Sequence, residues 1–202
     1  MAAASSEPDG TPIDPRAPRS PKGIARRQQI LDRAIEVFAA KGPDGTSLRA
    51  IAEAIGVSHG ALLHYFDSRE TLLIAVMQEN EQRRVGAPPE DNVVGPMVRA
   101  AERNVTIPGL VALYTSMLAG SIDAANEPSH AYFIDRFERL RVELAENVRI
   151  GQRDGTIRPD IDPTAMAALV IAASDGLQAQ WLLEPRVDIA DSLRLLSLIM
   201  DT

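Results

Sequence analysis

After residue 21, the apolar positions of the chain recur with the period of an α-helix. In the first such stripe they fall three or four residues apart, which places their side chains on one helix face. The stripe comprises Ile30, Leu31, Ala34, Ile35 and Phe38. Gly42-Pro43 is expected to end this helix, because glycine permits the terminal conformation and proline cannot continue the helix. The pattern predicts an all-α chain.

Short helices with clear start and stop residues follow the first stripe. Ser47 is a suitable N-cap for a second helix, and Gly56 can adopt the left-handed conformation that ends it. Ser58 is expected to cap a third helix only two residues later, and Asp67 or Ser68 a fourth. The inward positions of the second and fourth helices are Leu48, Ile51, Ala52, Ile55, Leu72, Leu73, Val76 and Met77.

The rest of the chain is predicted to form a larger helical bundle. Prolines near the segment starts support this division, because proline is tolerated in the first turn of a helix. The predicted helices cover residues 95–105, 108–124, 128–153, 163–183 and 187–200. We therefore expect a disordered, basic-ended tail over 1–21, where prolines and small polar residues cannot form a core. A small trihelical domain over 22–68 and the bundle over 69–202 would follow.

Composition indicates the kind of core and the cellular location to expect for this protein. Apolar residues make up 45% of the 202 residues and aromatics only 4%, so an aliphatic core is expected. The absence of cysteine excludes disulfides and thiolate metal sites, and favours a cytoplasmic location. No apolar run is judged to approach the ~20 residues of a membrane span, and the N-terminus lacks the apolar core of a signal peptide. No membrane partner is expected.

Charge divides along the chain although its net value is -7. Residues 16–49 contain eight Lys or Arg against three acids, whereas residues 85–202 contain ten Arg against seventeen acids. For binding to nucleic acid, the distribution of charge along the chain matters more than the net charge. The basic front of the chain is therefore compatible with a phosphate backbone.

Two short helices joined by a tight glycine-containing turn, braced by a first helix, form a helix-turn-helix unit. The second helix of such a unit enters the major groove with its N-terminal residues at the base edges. Bulky residues there would obstruct the approach, and Ser58, His59, Gly60 and Ala61 are small or polar. Leu62 and Phe66, four residues apart, are expected to turn into the core. Leu63, His64 and Tyr65 are then left nearer the DNA.

The block ILDRAIEVFAAKGPDGTSLRAIAEAIGVSHGALLHYFDSRETLL resembles the DNA-binding domain of TetR-family transcriptional regulators. The run RPDIDPTAMAALVIAASDGLQAQWLLEPRVDIADSL resembles the last two helices of many members. The resemblance implies a homodimer paired through those two helices in a four-helix bundle. It also implies a central cavity for a small inducer among the middle helices.

Roles at the DNA are implied by the same resemblance. Ser47 and Arg49 match contacts from the start of the second helix, and Arg69 matches a basic residue that touches phosphate. The recognition helix corresponds to Ser58, His59, Gly60, Ala61, His64 and Tyr65. We expect Arg26, Arg27 and Arg69 to contact phosphates, and Arg49 and His59 to read bases. One departure is Leu63, where many members carry a tyrosine whose hydroxyl contacts phosphate.

Candidate residues for the cavity and for the dimer interface lie in the C-terminal helices. The pocket candidates are Met77, Tyr114, Met117, Phe137, Asp175, Gln178 and Trp181. The interface candidates are Leu169, Ala173, Gly176, Leu177, Leu193 and Leu196. Asp175 and Gln178 interrupt an apolar helix, so they either anchor a ligand or make a paired polar contact in the interface, and the interface is favoured because buried polar groups are usually paired. Trp181 fits either place.

Catalysis has little support in the sequence. There is no cysteine, no Ser-His-Asp constellation, no glycine-rich phosphate loop followed by lysine, and no cluster of metal ligands. His59 and His64 are five residues apart, off a common helix face, so neither a metal nor a cofactor is expected. Three hypotheses remain: a ligand-responsive repressor, a helical receptor or scaffold without operator binding, and a small helical enzyme. The basic front and the recognition helix favour the first, with helix 69–84 as its movable element.

Overall fold

The computed structural model describes residues 20–42, 47–82 and 93–202, and every regular element among them is an α-helix. The predicted tail 1–21 lies outside the described residues except for its last two positions. The helices are α1 (Pro21–Lys41), α2 (Leu48–Ile55), α3 (His59–Leu63), α4 (Arg69–Gln82), α5 (Gly95–Val105), α6 (Leu110–Ser121), α7 (Glu127–Asp154), α8 (Pro163–Leu183) and α9 (Ile189–Met200). The all-α prediction is confirmed.

Helix ends follow the capping residues seen in the sequence. The α1 helix begins after Ser20, whose hydroxyl accepts a hydrogen bond from the Gly23 amide at 3.1 Å, so it starts earlier than the apolar stripe alone indicates. Gly42 ends α1 as predicted. The α6 helix is shorter than the expected 108–124, because Gly109 occupies its N-cap in the left-handed region, with φ 81°.

Two apolar cores fill the part of the chain that the structure describes. The first joins the faces of α1, α2, α3 and α4 to α6 and the front half of α7. The second joins α5, the rear half of α7, α8 and α9. Phe137 on α7 packs against both. The first core therefore continues past residue 68, the expected domain boundary, into the C-terminal bundle.

The C-terminal end of α1 rests directly on the start of α6. A Cβ atom built on Gly109 would lie 2.5 Å from the Cβ of Ala39 and 2.7 Å from its Cα. Only a glycine permits this approach at its positive φ. The N-terminal helices are thus seated on the helical bundle at a contact of backbone against backbone.

The α8 helix corrects the expectation about apolar runs. Its 21 residues are long and apolar enough to cross a membrane by length and composition alone, the one such helix in the described part of the chain. Only 28% of its most apolar stretch is buried inside the structure. Much of the apolar surface of α8 is therefore exposed.

Candidate functional site

The turn between α2 and α3 is fixed by two serine caps and a glycine. The hydroxyl of Ser47 accepts a hydrogen bond from the Ala50 amide, and that of Ser58 accepts one from the Ala61 amide, each at 3.1 Å. Gly56 ends α2 in the left-handed conformation, with φ 74° and ψ 36°. These caps satisfy amides that a helix start otherwise leaves unpaired. The start of α3 is consequently held at a defined angle to α2.

One face of α3 is buried and the other is open to solvent. Leu62 is 0% exposed and Phe66 4%, as the sequence predicted. The other face presents Ser58, His59, Gly60, Ala61, Leu63 and His64, all exposed. The helix itself ends at Leu63, so His64 and Tyr65 form the turn that follows it. A small, polar helix tip projects from an apolar platform.

The remaining DNA-contact candidates lie around this tip in different settings. Ser47 and Arg49 at the start of α2 are exposed, and within the described ranges Arg49 makes no hydrogen bond or ion pair. Arg26 is half-buried and donates a hydrogen bond to Gln29 at 3.0 Å. Tyr65 is half-buried against the first core, and its ring meets that of His64 edge to face at 5.5 Å.

Arg27 has a packing role that the sequence did not reveal. Its guanidinium carbon lies 5.3 Å from the centroid of the Phe66 ring, in the geometry of a cation–π contact. Its Nε atom is buried and has no hydrogen-bond partner among the described residues. The same Arg27 side chain packs α1 against Phe66. A phosphate contact by Arg27 would therefore have to be compatible with this packing.

The start of α4 is tied by a reciprocal pair of hydrogen bonds. The Ser68 hydroxyl accepts from the Thr71 amide at 3.1 Å, and the Thr71 hydroxyl accepts from the Ser68 amide at 3.0 Å. Of the two caps proposed for this helix, Ser68 thus provides a cap hydrogen bond. Arg69 is half-buried and lies 3.4 Å from the Glu70 carboxylate.

A small polar cavity of about 40 Å³ lies where α4, α5, α6, α7 and α8 meet. Four of the pocket candidates lie on its wall: Met77, Tyr114, Asp175 and Gln178. Met117, Phe137 and Trp181 do not, and they pack in or against the apolar cores instead. Asp175 and Gln178 thus face a cavity inside the chain, contrary to the favoured placement in a dimer interface.

A chain of hydrogen bonds crosses this cavity and connects four helices. Arg136 on α7 contacts Glu81 on α4 through its Nε at 2.5 Å, and donates from Nη1 to the Tyr114 hydroxyl on α6 at 3.1 Å. Tyr114 in turn donates to Oδ1 of Asp175 on α8 at 2.9 Å. Burial raises the pKa of the Asp175 carboxyl and that of the Tyr114 hydroxyl. We call this series the polar chain.

Sequence reasoning missed Arg136 and Glu81, although each left a signal. Arg136 lies three residues after Phe133 and immediately before Phe137, inside the buried stripe of α7. Glu81 follows Met77 by four residues, on the inner face of α4. A charged residue within an apolar stripe indicates a buried partner, because an unpaired charge in a core is costly.

A second, larger cavity of about 550 Å³ is an open groove between α1, α4 and the α5–α6 connection. Leu31, Ile35, Val76 and Ile107 form apolar walls, and carboxylates lie along it. None of the pocket candidates contributes to this groove.

The outer faces of α8 and α9 carry exposed apolar side chains. Gly176 is exposed, and a Cβ built on it would meet no atom within 4 Å. The large exposed residues are Leu169, Leu182, Leu183, Leu195, Leu198 and Ile199. Among the interface candidates, Leu193 was misplaced: it is 0% exposed and belongs to the second core. Ala173, Leu177 and Leu196 are half-buried against the same core.

Comparison with known proteins identifies the family. The family model for bacterial regulatory proteins of the tetR family matches residues 30–76, from α1 to α4. The HTH-type transcriptional repressor KstR2 of Rhodococcus jostii is 31% identical over 144 residues, covering 68% of this chain and 70% of that protein. The chain belongs to the TetR family.

Other transcriptional regulators match along most of this chain. The HTH-type transcriptional repressor Rv1474c of Mycobacterium tuberculosis is 26% identical over 157 residues, 77% of this chain and 82% of that protein. A transcriptional regulator from Saccharomonospora viridis, solved in complex with choline, shares the fold with a TM-score of 0.69 at 23% identity. That match covers 87% of this chain and 95% of the solved one. The relatives are regulators, which agrees with the prediction that this chain is not an enzyme.

Proposed function

We propose that this TetR-family protein is a one-component transcriptional repressor. It would bind a pseudo-palindromic operator as a homodimer and be released by a small-molecule effector. The observation that carries the proposal is the capped, exposed tip of α3 on its buried Leu62–Phe66 anchor. Such a tip can approach base edges without steric obstruction, and two of them can read successive major grooves, with centres ~34–36 Å apart. The repressor names of the two relatives favour repression over activation.

Contacts at the operator would divide into two kinds. Arg49 is exposed and uncommitted within the described ranges, so it can reach a guanine edge, and the exposed His59 is the second candidate base reader. Arg26 and Arg69 would position the domain on phosphates, with a lesser part for the stacked Arg27. Leu63 adds apolar contact where many family members have a tyrosine.

Operator titration at several salt concentrations tests this division. Arg49→Ala should relax sequence preference and cost ~1–3 kcal/mol on the operator, because a base contact is lost. Arg69→Ala should weaken binding to all sequences and reduce the salt slope by about one unit. Equal losses on operator and random DNA for both variants would exclude Arg49 as a base reader.

The homodimer is proposed to form through the outer faces of α8 and α9. These faces expose Leu169, Leu183, Leu195, Leu198 and Ile199, and an apolar patch of this kind normally marks an interaction surface. The exposed Gly176 would let a partner helix approach closely. The same face explains why α8 has the composition of a membrane span.

Gly176→Arg should produce a monomeric or aggregated protein with greatly weakened operator binding. Each DNA-binding domain would stay folded, but a single domain lacks the effective concentration that a dimer provides for the second half-site. Gly120→Arg, the same exchange at an exposed helical glycine on α6, is the matched control and should remain dimeric. Sedimentation and operator titration on the same samples decide the matter. A dimeric Gly176→Arg protein with full affinity would place the interface elsewhere.

The effector is proposed to enter the region of the polar cavity. The regulator from Saccharomonospora viridis carries choline on the same fold, which supports a small-molecule effector without identifying it for this chain. Glu81 connects this cavity to α4, and α4 joins the DNA-binding helices to the bundle. An effector can release DNA only if it binds the two conformations unequally.

A further inference from the structure

Asp175 is the ionisable group of the cavity whose charge is least compensated. Within the described ranges its only hydrogen bond comes from Tyr114, on Oδ1, so Oδ2 accepts none and the carboxylate makes no ion pair. The guanidinium of Arg136 is directed to Glu81 and Tyr114 instead. Glu81 is paired with Arg136 and, at 3.7 Å, with Arg139, so Asp175 is the carboxylate of the polar chain that has no ion pair among the described residues. A half-buried carboxylate in that position needs a proton or a cation to balance it.

The neighbouring wall offers further acceptors. Gln178 lies one turn after Ser174 on α8 and donates its amide Nε2 to the Ser174 carbonyl at 3.2 Å, which leaves its amide oxygen as an acceptor. Asn80 on α4 donates its Nδ2 to Asn104 at 3.3 Å, which likewise leaves an oxygen. An ammonium group has three donors and no acceptor, so a carboxylate with two amide oxygens is a chemically matched set.

The size and the remaining walls restrict the ligand further. A water molecule needs roughly 10–15 Å³ of such space, so about 40 Å³ accommodates a group of only a few heavy atoms. Met77, Met97, Leu110 and Val111 supply apolar wall beside the polar set. A short methylene stem next to a polar head fits this combination.

We propose that the Asp175 cavity holds the protonated amino group of a compact primary amine, with the Asp175 carboxylate as its counterion. The inference rests on the proposed function in one respect, namely that this ligand is taken to be the effector. An anionic ligand is disfavoured, because Arg136 already donates to Glu81 and Tyr114 while Asp175 would repel a negative group. A quaternary ammonium is disfavoured too, since it has no N–H to donate and its methyl groups need more room.

Calorimetric titration of the full-length, DNA-free protein tests the proposal directly. Ethylammonium, choline and acetate would be compared at constant ionic strength and neutral pH. We expect ethylammonium to bind more tightly than choline or acetate. Asp175→Asn keeps the size of the side chain and can still accept the Tyr114 hydrogen bond, yet it should weaken ethylammonium binding at least about tenfold. Glu143→Gln removes an exposed carboxylate of α7 and should leave that binding unchanged.

Equal ethylammonium binding by the wild type and Asp175→Asn would overturn the proposal, as would tighter binding of acetate. An operator titration in the presence of ethylammonium separates this inference from the proposed function. Operator binding with no amine binding would overturn the amine site alone. Amine binding that leaves operator affinity unchanged would support the site and overturn its role in release. If the protein binds the amine but recognises no operator, the proposed function alone would be overturned.

Discussion

At the scale of single residues, the role of Asp175 depends on the direction in which its side chain points. Sequence alone left it between a ligand anchor and a dimer contact, because both places are apolar helix faces interrupted by a polar group. The hydrogen bond from Tyr114 shows that the Asp175 side chain faces the interior of the chain. Periodicity could identify the polar interruption, but only the packing of α6 on α8 decides which way it faces.

The pH dependence of stability provides a test at Asp175. Burial raises the pKa of this carboxyl above its ordinary 3.8, although the charge of Arg136 and the Tyr114 hydrogen bond act in the opposite direction. Because the folded state binds this proton more tightly than the unfolded state, the contribution of Asp175 to stability is lost as pH rises through its folded pKa. The other ionisable groups of the same cluster are Arg136, Arg139 and Tyr132 on α7, Tyr114 on α6 and Glu81 on α4.

Asp175→Asn should therefore be at least as stable as the wild type at pH 7, with the difference shrinking toward pH 4. Urea unfolding of the ligand-free protein across this range measures it. A variant that is less stable at pH 7, and relatively more stable in acid, would show that the ionised carboxylate is stabilised in the folded protein.

Gly109 carries a second prediction at the residue scale. Gly109→Ala would place a Cβ against Ala39 and strain a backbone with φ 81°, so it should lower the free energy of unfolding by at least about 2 kcal/mol. Gly120→Ala on the same helix has ordinary space and should stabilise by roughly 0.5–1 kcal/mol. Chemical denaturation of both variants gives the comparison, and similar values for the two would refute the close contact.

At the scale of elements, the helix order and most helix ends follow from caps and periodicity. Ser47, Gly56 and Ser58 delimit α2 and α3 because their side chains or backbone freedom act locally. The assignment of residues to the two cores does not follow from caps and periodicity. Leu193 resembles its exposed neighbours Leu195 and Leu198 in sequence, yet it is buried in the second core with residues of α5, α7 and α8. Which leucines of an apolar helix are buried depends on its neighbours in space.

The ion pair between α4 and α7 is testable at this scale. The side chains of Glu81 and Arg136 are 23% and 11% exposed, so Glu81→Gln removes a carboxylate from a largely desolvated pair and should cost about 2 kcal/mol of stability. Glu138→Gln breaks an exposed pair with Arg141 on α7 and should cost less than about 0.5 kcal/mol. Equal losses in thermal or urea unfolding would mean that the polar chain does not hold α4 to the bundle.

At the scale of the whole molecule, the proposed function uses two surfaces and the polar cavity. The tip of α3 faces outward at one end, and the apolar faces of α8 and α9 lie exposed in the bundle. The polar chain runs from α8 to α4 between them. The charge split along the sequence favours a nucleic-acid contact at the front of the chain, and the pairing of the last helices stays a prediction that the family resemblance implies. The resemblance implied a cavity among the middle helices, but its complete lining, including Glu81 and Arg136, comes from five helices and required the structure.

Selection of binding sites from random double-stranded DNA by the full-length protein tests the central claim most directly. We expect an enriched inverted repeat whose half-site centres lie one helical turn apart, about 10–10.5 base pairs, bound by two protomers. Arg49→Ala should enrich a less defined repeat, because a base contact is lost while the spacing is kept. The absence of any enriched sequence, or enrichment of a single isolated half-site bound by one protomer, would contradict a dimeric operator-binding repressor.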